Sequence, residues 1–492
     1  MLAGLLFALN ALLNFALTLV LARVLPPDAF GALSLILAST LLASMSCLDW
    51  ARFAALRFHT VDAVAGNARL RPSLDAAFLV SVLPAMLVAL AFGIGLSGLE
   101  ATPHAIAALC LLPVAFGAFE YLATLLRSRF DDRTFLAMSL LRHGLSFLLV
   151  VPIAWRIGDA AVTAMLVAAA FLPVLAVGLF GLRGAHAGPA GVDRAQLRLF
   201  AAFGLPIVAA SLLDQGIGLV NRAWLAREVG LVAAGTYALI FDTAFKLLGV
   251  TAAAAEAALA PRLMALHGAD PDASRERLGR NLAITLLLVA PLGVALVVAA
   301  EPLADLLFAP EFRTAFVTLT PVAVAAALCQ TVQISMLRPA FQVLQRTGLL
   351  LAASSVTFVV DVALLLVAPR ADLAWAAITH LAALAAGALV LTAAAARARS
   401  LILPMTDLLK IALSILLATL ACLLVMSRTV SAVAPLAGLV AGGLVYGGLI
   451  TALDALGLRT LVTRRLDERR DRSATQAVQG PSALTQSSKG AT

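Results

Sequence analysis

The chain is 492 residues long, 62% hydrophobic and only 13% charged, with 35 basic against 27 acidic residues. A soluble domain is roughly 45–50% apolar and roughly 25% charged, so a soluble globular fold is excluded, because its exterior would hold this apolar surface in water. The apolar residues fall in long continuous runs without the short alternation of a membrane barrel, which predicts α-helices whose backbone groups are satisfied within each segment.

A helix needs about 20 apolar residues to cross about 30 Å of hydrocarbon. Nine stretches meet this with no Asp, Glu, Lys or Arg: Met1–Ala22, Ala29–Leu48, Ala76–Leu99, Ala160–Leu182, Asn281–Ala300, Thr314–Leu337, Leu373–Ala396, Ile411–Ser427 and Thr429–Leu453. Five more carry charge: Pro103–Leu126 (Glu120), Thr134–Trp155 (Arg142), Leu199–Asn221 (Asp214), Val229–Ala255 (Asp242, Lys246) and Thr347–Ala368 (Asp361). The expectation is an all-α polytopic membrane protein with fourteen transmembrane helices, numbered here in chain order.

Loop charge orients them. With the N-terminus inside, the inside loops and tail carry 26 Lys or Arg, and the outside loops only 7: Arg23, Arg156, Arg222, Arg227, Arg313, Arg370 and Arg428. That bias follows the positive-inside rule and predicts cytoplasmic termini. No basic leader precedes the first span, which argues against a signal peptide and for a true start upstream of Met1. Arg464, Arg465, Arg469, Arg470 and Arg472 make a basic juxtamembrane segment, read as a topology anchor, and the small polar residues beyond Ser473 predict disorder. The four cysteines form no CxxC pair, so neither a disulfide framework nor a metal site is expected.

Shifting the chain by 204 residues lays Leu21–Ala38 (LARVLPPDAFGALSLILA) over Leu225–Asp242 (LAREVGLVAAGTYALIFD) with seven identities, Gly31 over Gly235 among them. A weaker match sets Leu126-Arg127 and Phe130 against Leu337-Arg338 and Phe341. Six spans separate the copies, so both have the same orientation: a parallel repeat about an axis along the membrane normal. The expected plan is an N-terminal six-helix lobe (1–182), an inter-lobe linker (183–198), a C-terminal six-helix lobe (199–400), appended helices 13–14 (401–456) and a basic, then disordered, tail (457–492).

These residues carry a resemblance. LARVLPPDAFGALSLI is similar to the opening signature of the Wzx-type polysaccharide flippases, and CLDWARFAALRF (Cys47–Phe58) to that family's Asp-containing end of helix 2, with Asp49 and Arg57. DLLFAPEF (Asp305–Phe312) and MLRPAFQVLQRTG (Met336–Gly348) resemble its loops after helices 9 and 10. Pro26-Pro27 stands where that family often has Gly-Pro, and Tyr and Asn are scarce for a sugar path. The family is a branch of the multidrug, oligosaccharidyl-lipid and polysaccharide exporter superfamily. The resemblance implies a flippase of the bacterial inner membrane carrying an undecaprenyl-pyrophosphate-linked oligosaccharide for surface polysaccharide such as O-antigen or exopolysaccharide. Its partners would be that lipid-linked glycan, membrane lipids and other polysaccharide-assembly proteins, and no nucleic acid.

No Walker A, HExxH or dinucleotide fingerprint is present, so a transporter without cofactor or metal is expected rather than an enzyme. A cation-coupled drug or small-molecule antiporter of the same superfamily is one alternative. A membrane-embedded glycan polymerase or ligase is another, disfavoured by an outside loop no longer than about Glu301–Arg313. Gly438, Gly442 and Gly443 are read as a helix-packing motif.

Polar groups at membrane depth are the site candidates, because a charge there needs a cavity or a partner. Asp214, Gly218 and Asn221 share a face of helix 7, and Asn10 and Asn14 are the repeat mates of Asp214 and Gly218. Asp242 and Lys246 sit one turn apart on helix 8. Glu120, Arg142 and Asp361 are lone charges in their spans, for each of which an interlobe function and a buried pair with another helix are the two readings. A pyrophosphate needs cations, so Arg23, Arg52, Arg57, Arg222, Arg227 and Arg262 at the rims are candidates, with topology anchoring the competing role for Arg52, Arg57 and Arg262. Lacking a nucleotide site, transport would draw on an ion gradient, the membrane potential or substrate flow; a carboxylate that binds Na⁺ or exchanges H⁺ would be Asp214 first and Asp242 second.

Overall fold

The computed structural model describes residues 2–59, 67–183, 191–267, 271–334, 347–398, 402–428, 434–457 and 459. These form helices and no strands: α1 (Leu2–Val24), α2 (Pro27–Phe58), α3 (Leu70–Leu96), α4 (Pro103–Ser128), α5 (Asp132–Ile157), α6 (Ala160–Gly181), α7 (Arg194–Glu228), α8 (Leu231–His267), α9 (Pro271–Val298), α10 (Pro310–Val332), α11 (Thr347–Leu366), α12 (Leu373–Arg397), α13 (Met405–Arg428) and α14 (Ala434–Ala452). A short helix, Ala300–Leu307, lies between α9 and α10. Among the described residues twelve helices are long and apolar enough to cross a membrane, and the bent α7 makes thirteen; α1 is an apolar helix whose side chains are described from Leu12. The basic tail, the turn at 335–346 and the middle of the inter-lobe linker lie outside the described residues, as does the side chain of Asn10.

Local chemistry sets the helix starts. Thr102, Asp131, Asp159 and Asp372 each accept a hydrogen bond from the backbone two or three residues on, capping α4, α5, α6 and α12. The Thr134 hydroxyl, and after it the Thr134 backbone N–H, hold the Asp131 carboxyl below the usual carboxylate range. Pro27 and Pro103 stand in first turns, where a missing N–H costs nothing. Pro206 removes one i→i−4 bond inside α7, next to the 43° bend between Arg194–Ala209 and Ser211–Glu228. Several helices outrun the apolar runs that mark them. α2 continues past Leu48 to Phe58 and α7 past Asn221 to Glu228, so Asp49, Arg52 and Arg222 sit within helices and not in connecting loops.

Helices α1–α6 pack among themselves, as do α7–α12, while α13 and α14 form a hairpin against α9. Gly438 and Gly442 make that hairpin close: a Cβ on Gly442 would lie 3.1 Å from the Ala418 carbonyl oxygen, whereas Gly443 faces open space. Between the lobes α2 runs the length of the interface. At its start it crosses α8 with backbones in contact, for a Cβ on Gly235 would lie 2.8 Å from the Gly31 Cα. At its end it packs on the first half of α7, where a Cβ on Gly204 would meet the Trp50 backbone at 2.6 Å and Phe58 stacks with Phe200 at 5.5 Å. Gly31 and Gly235 are repeat mates.

Candidate substrate cavity

Between the two crossings the lobes part around two adjoining cavities of about 420 and about 430 Å³, which share Leu41, Asp214, Gln215 and Gln330 as lining. Residues of both lobes wall each of them. A five-residue π-helical segment of α2, Ser44–Leu48, borders it and widens the turn from which Ser44, Met45 and Asp49 face the cavity.

Three charges meet on the N-terminal wall. Arg52 donates to Asp49 at 2.8 Å and to Glu120 of α4 at 3.0 Å, joining α2 to α4. Glu120 is therefore not a lone charge, and Arg52 is more than a topology anchor. The helical stagger puts residues 49 and 52 on one face of α2, toward α4. On the C-terminal wall Arg222 of α7 forms a short ion pair with Asp242 of α8, which also faces Lys246 at 3.4 Å. The expected Asp242–Lys246 couple thus has a second cation, which loop-by-loop charge counting had placed outside the membrane. Lys246 reaches across to Thr18 of α1 at 3.5 Å. Beside this cluster Tyr237, Phe241 and Phe245 stack with His380 of α12, and Tyr237 Oη lies 2.5 Å from His380 Nδ1. Tyr237 and His380 carry no signal in the sequence, because each stands with a single threonine, Thr236 or Thr379, in an otherwise apolar stretch.

The other candidates divide. Asp214 and Gly218 face the cavity, and Asp214 accepts from Ser354 of α11 at 2.6 Å. Asn221 does not share that exposure. It is fully buried, donating to Asp361 at 2.7 Å, with Thr379 of α12 at 3.5 Å from its oxygen. Asp361 is 0% exposed and its Oδ1 has no hydrogen-bond partner. It too is not lone, since Asn221 satisfies its other oxygen. Asp214–Ser354 and Asn221–Asp361 have the same sequence offset, as two rungs between parallel helices must, and spans 7 and 11 are parallel in the predicted topology.

Arg142 lies in the N-terminal lobe and off the cavity. It donates to Asn14 at 3.0 Å, and its guanidinium lies 5.0 Å from the ring centres of Phe119 and Phe171 and 5.9 Å from Phe116. It is the third of the supposed lone charges to have partners. Arg23 also stands off the cavity lining and donates to the Phe308 carbonyl at 2.8 Å. Arg57 lies over the Phe203 ring at 4.5 Å, Arg227 is exposed at the end of α7, and the side chain of Arg262 lies outside the described residues.

An all-helical membrane protein whose two helical lobes enclose a charged cavity is the class this geometry defines. Residues 74–317 match the family described as polysaccharide biosynthesis protein. The fold is similar to that of the lipid II flippase MurJ in an inward closed conformation, at 14% identity and a TM-score of 0.67 over 94% of this chain and 99% of that one. It is also similar to an inward-facing multidrug resistance MATE family transporter of the MOP superfamily, at 14% identity and a TM-score of 0.55 over 80% of this chain and 94% of that one. No curated protein matches in sequence. The family match covers residues 74–317, and the fold of the whole chain is the one these two transporters share.

Proposed function

We propose that the protein translocates a lipid-linked oligosaccharide across the bacterial inner membrane for surface polysaccharide assembly, by alternating access of two lobes spanning 1–182 and 199–400, with 401–456 as an appended pair. The observation that carries this reading is the pair of adjoining cavities with charged walls from both lobes at membrane depth. A charge buried in a membrane protein is costly, and a cavity that keeps seven of them serves a polar cargo. Arg52, Arg222 and Lys246 are the cations available to a diphosphate, each of which a carboxylate now holds and a phosphate oxygen would displace. In this reading all fourteen helices span, both termini are cytoplasmic, and the α1–α2 end of the interface faces outward. Removing the gene from its host should abolish surface polysaccharide and leave lipid-linked intermediate accumulating on the inner leaflet. Normal polysaccharide in that strain, with no second exporter present, would overturn the reading.

One observation favours the antiporter alternative. Asp49, Glu120, Asp214 and Asp242 outnumber Arg52, Arg222 and Lys246 in the cavity, a surplus suited to a cationic substrate. Efflux of a cationic dye by the purified protein in vesicles tests it. For energy coupling, Asp361 now stands ahead of Asp214: it is fully enclosed, one oxygen is unpartnered, and only neutral groups bond to it, the setting in which a carboxylate takes a proton or a Na⁺.

A further inference from the structure

We propose that Arg23, Phe30 and Gly31 form a clasp that shuts the cavity at the α1–α2 end, and that releasing it is the step that opens the cavity outward. The inference rests on the alternating-access reading above and adds the contacts that hold the closed side. Three independent contacts cross from the N-terminal to the C-terminal lobe there. Gly31 and Gly235 touch, and a Cβ on Gly31 would overlap the Leu231 carbonyl group. Phe30 meets Phe312, at the start of α10, edge to face at 5.8 Å. Arg23 donates to the carbonyl of Phe308, the residue that ends the short helix Ala300–Leu307.

Each contact has a physical reason to be both close and breakable. Two glycines let helix backbones meet without interlocking side chains, so lobes separating at this point drag no packed side chain past another. The end of a helix presents unpaired carbonyls and the negative pole of its dipole, a natural seat for a guanidinium. Arg313 shares that carbonyl at 3.2 Å and pairs with Asp305, so the seat stays satisfied when Arg23 leaves. One turn beyond the crossing on α2 and on α8, Ser34 and Ala238 line the cavity, and Phe30 of the clasp itself borders it. Arg23 and its repeat mate Arg227 are both exposed, and it is Arg23 that bonds across the lobes. Arg23, whose position suggested a phosphate ligand, is occupied in the closed arrangement and becomes available only as the clasp opens.

Accessibility tests this without any substrate. In a protein whose four cysteines are replaced, a single Leu37→Cys on the cavity wall is labelled with an impermeant maleimide, from outside in whole cells and from the cytoplasmic side in inverted vesicles. Arg23→Gln and Gly31→Ala should each raise labelling from outside several-fold and lower it from the cytoplasmic side. Arg23→Gln keeps the test alive if Gly31→Ala fails to insert. A rise from both sides would mean a loosened fold, and no change from either would mean that these contacts hold nothing shut; both results overturn the clasp. Reciprocal labelling in a strain that makes normal polysaccharide without the protein would leave the clasp standing and sink the flippase reading. Lost polysaccharide with unchanged labelling would do the opposite.

Discussion

In the N-terminal lobe Asp49 and Glu120 share one arginine, Arg52; in the C-terminal lobe Arg222 and Lys246 share one carboxylate, Asp242. Both clusters join two helices and face the same cavity, but the first carries one net negative charge and the second one net positive. Neither is a copy of the other. The repeat mates of Arg222, Asp242 and Lys246 are Thr18, Ala38 and Leu42, and those of Asp49 and Arg52 are Ala253 and Glu256. The helices repeat and the charges do not. In the proposed alternating access, repeated helices would let two lobes rock against each other, while unlike walls would give the cavity a polarity that orients a cargo with a charged end.

The difference predicts unequal costs of losing a cation. Arg52→Met leaves two carboxylates at membrane depth without the arginine both depend on. Breaking a buried pair this way costs about 3 kcal/mol or more, read as a lower melting temperature in detergent. Lys246→Met leaves Asp242 with Arg222 and should cost under about 1 kcal/mol. Equal melting temperatures for the two variants would mean that the clusters are held alike, against the contrast drawn between them.

Transport variants sharpen the contrast within the C-terminal lobe. Asp361→Asn should keep the protein inserted and abolish the dependence of transport on an ion gradient in reconstituted vesicles. Asp214→Asn should weaken transport less, because Ser354 already engages Asp214 and the cavity gives it water. Fully gradient-dependent transport by Asp361→Asn would move the coupling role back to Asp214. A smaller effect is expected in the N-terminal lobe, where Arg142→Lys keeps the charge but loses the flat contact with three rings. That should cost about 1–2 kcal/mol in thermal unfolding, with transport by the surviving protein retained.

Much of this architecture was legible from hydropathy alone, since an apolar run of span length in lipid can be little other than a helix. The repeat was legible at Leu21–Ala38 and Leu225–Asp242 because the two lobes meet there and the glycines are needed for contact. Partners were not legible. Glu120, Arg142 and Asp361 read as lone charges because Arg52, Asn14 and Asn221 come from other helices, 68, 128 and 140 residues away. Arg222 and Arg52 were assigned to rims because apolar runs end where charge begins, while helices continue for as long as a neighbour pairs that charge. His380 and Tyr237 gave no signal, since a polar atom satisfied across a lobe leaves no pattern along its own chain.

A last effect lies just beyond the membrane span, and again belongs to one lobe, for the repeat mate of His59 is Leu263. His59 ends α2, is 1% exposed, and its Nδ1 lies 2.7 Å from Ser128 Oγ at the end of α4. Burial, aided by the positive charges of Arg71 and Arg129, pushes its pKa down from 6.5 to about 4. The folded state therefore holds the imidazole neutral while the unfolded chain takes up a proton below its ordinary value. Stability is fully present above about pH 6.5 and drains as pH falls toward about 4, a loss of about 1 kcal/mol by pH 6. Its buried Nε2 has no hydrogen-bond partner, so a proton gained there would have nowhere to donate. Thermal unfolding in detergent between pH 7.5 and 5 should show this slope, and His59→Gln, which cannot titrate, should flatten it. An identical slope in His59→Gln would assign the acid sensitivity to another group and leave the joint between α2 and α4 indifferent to pH.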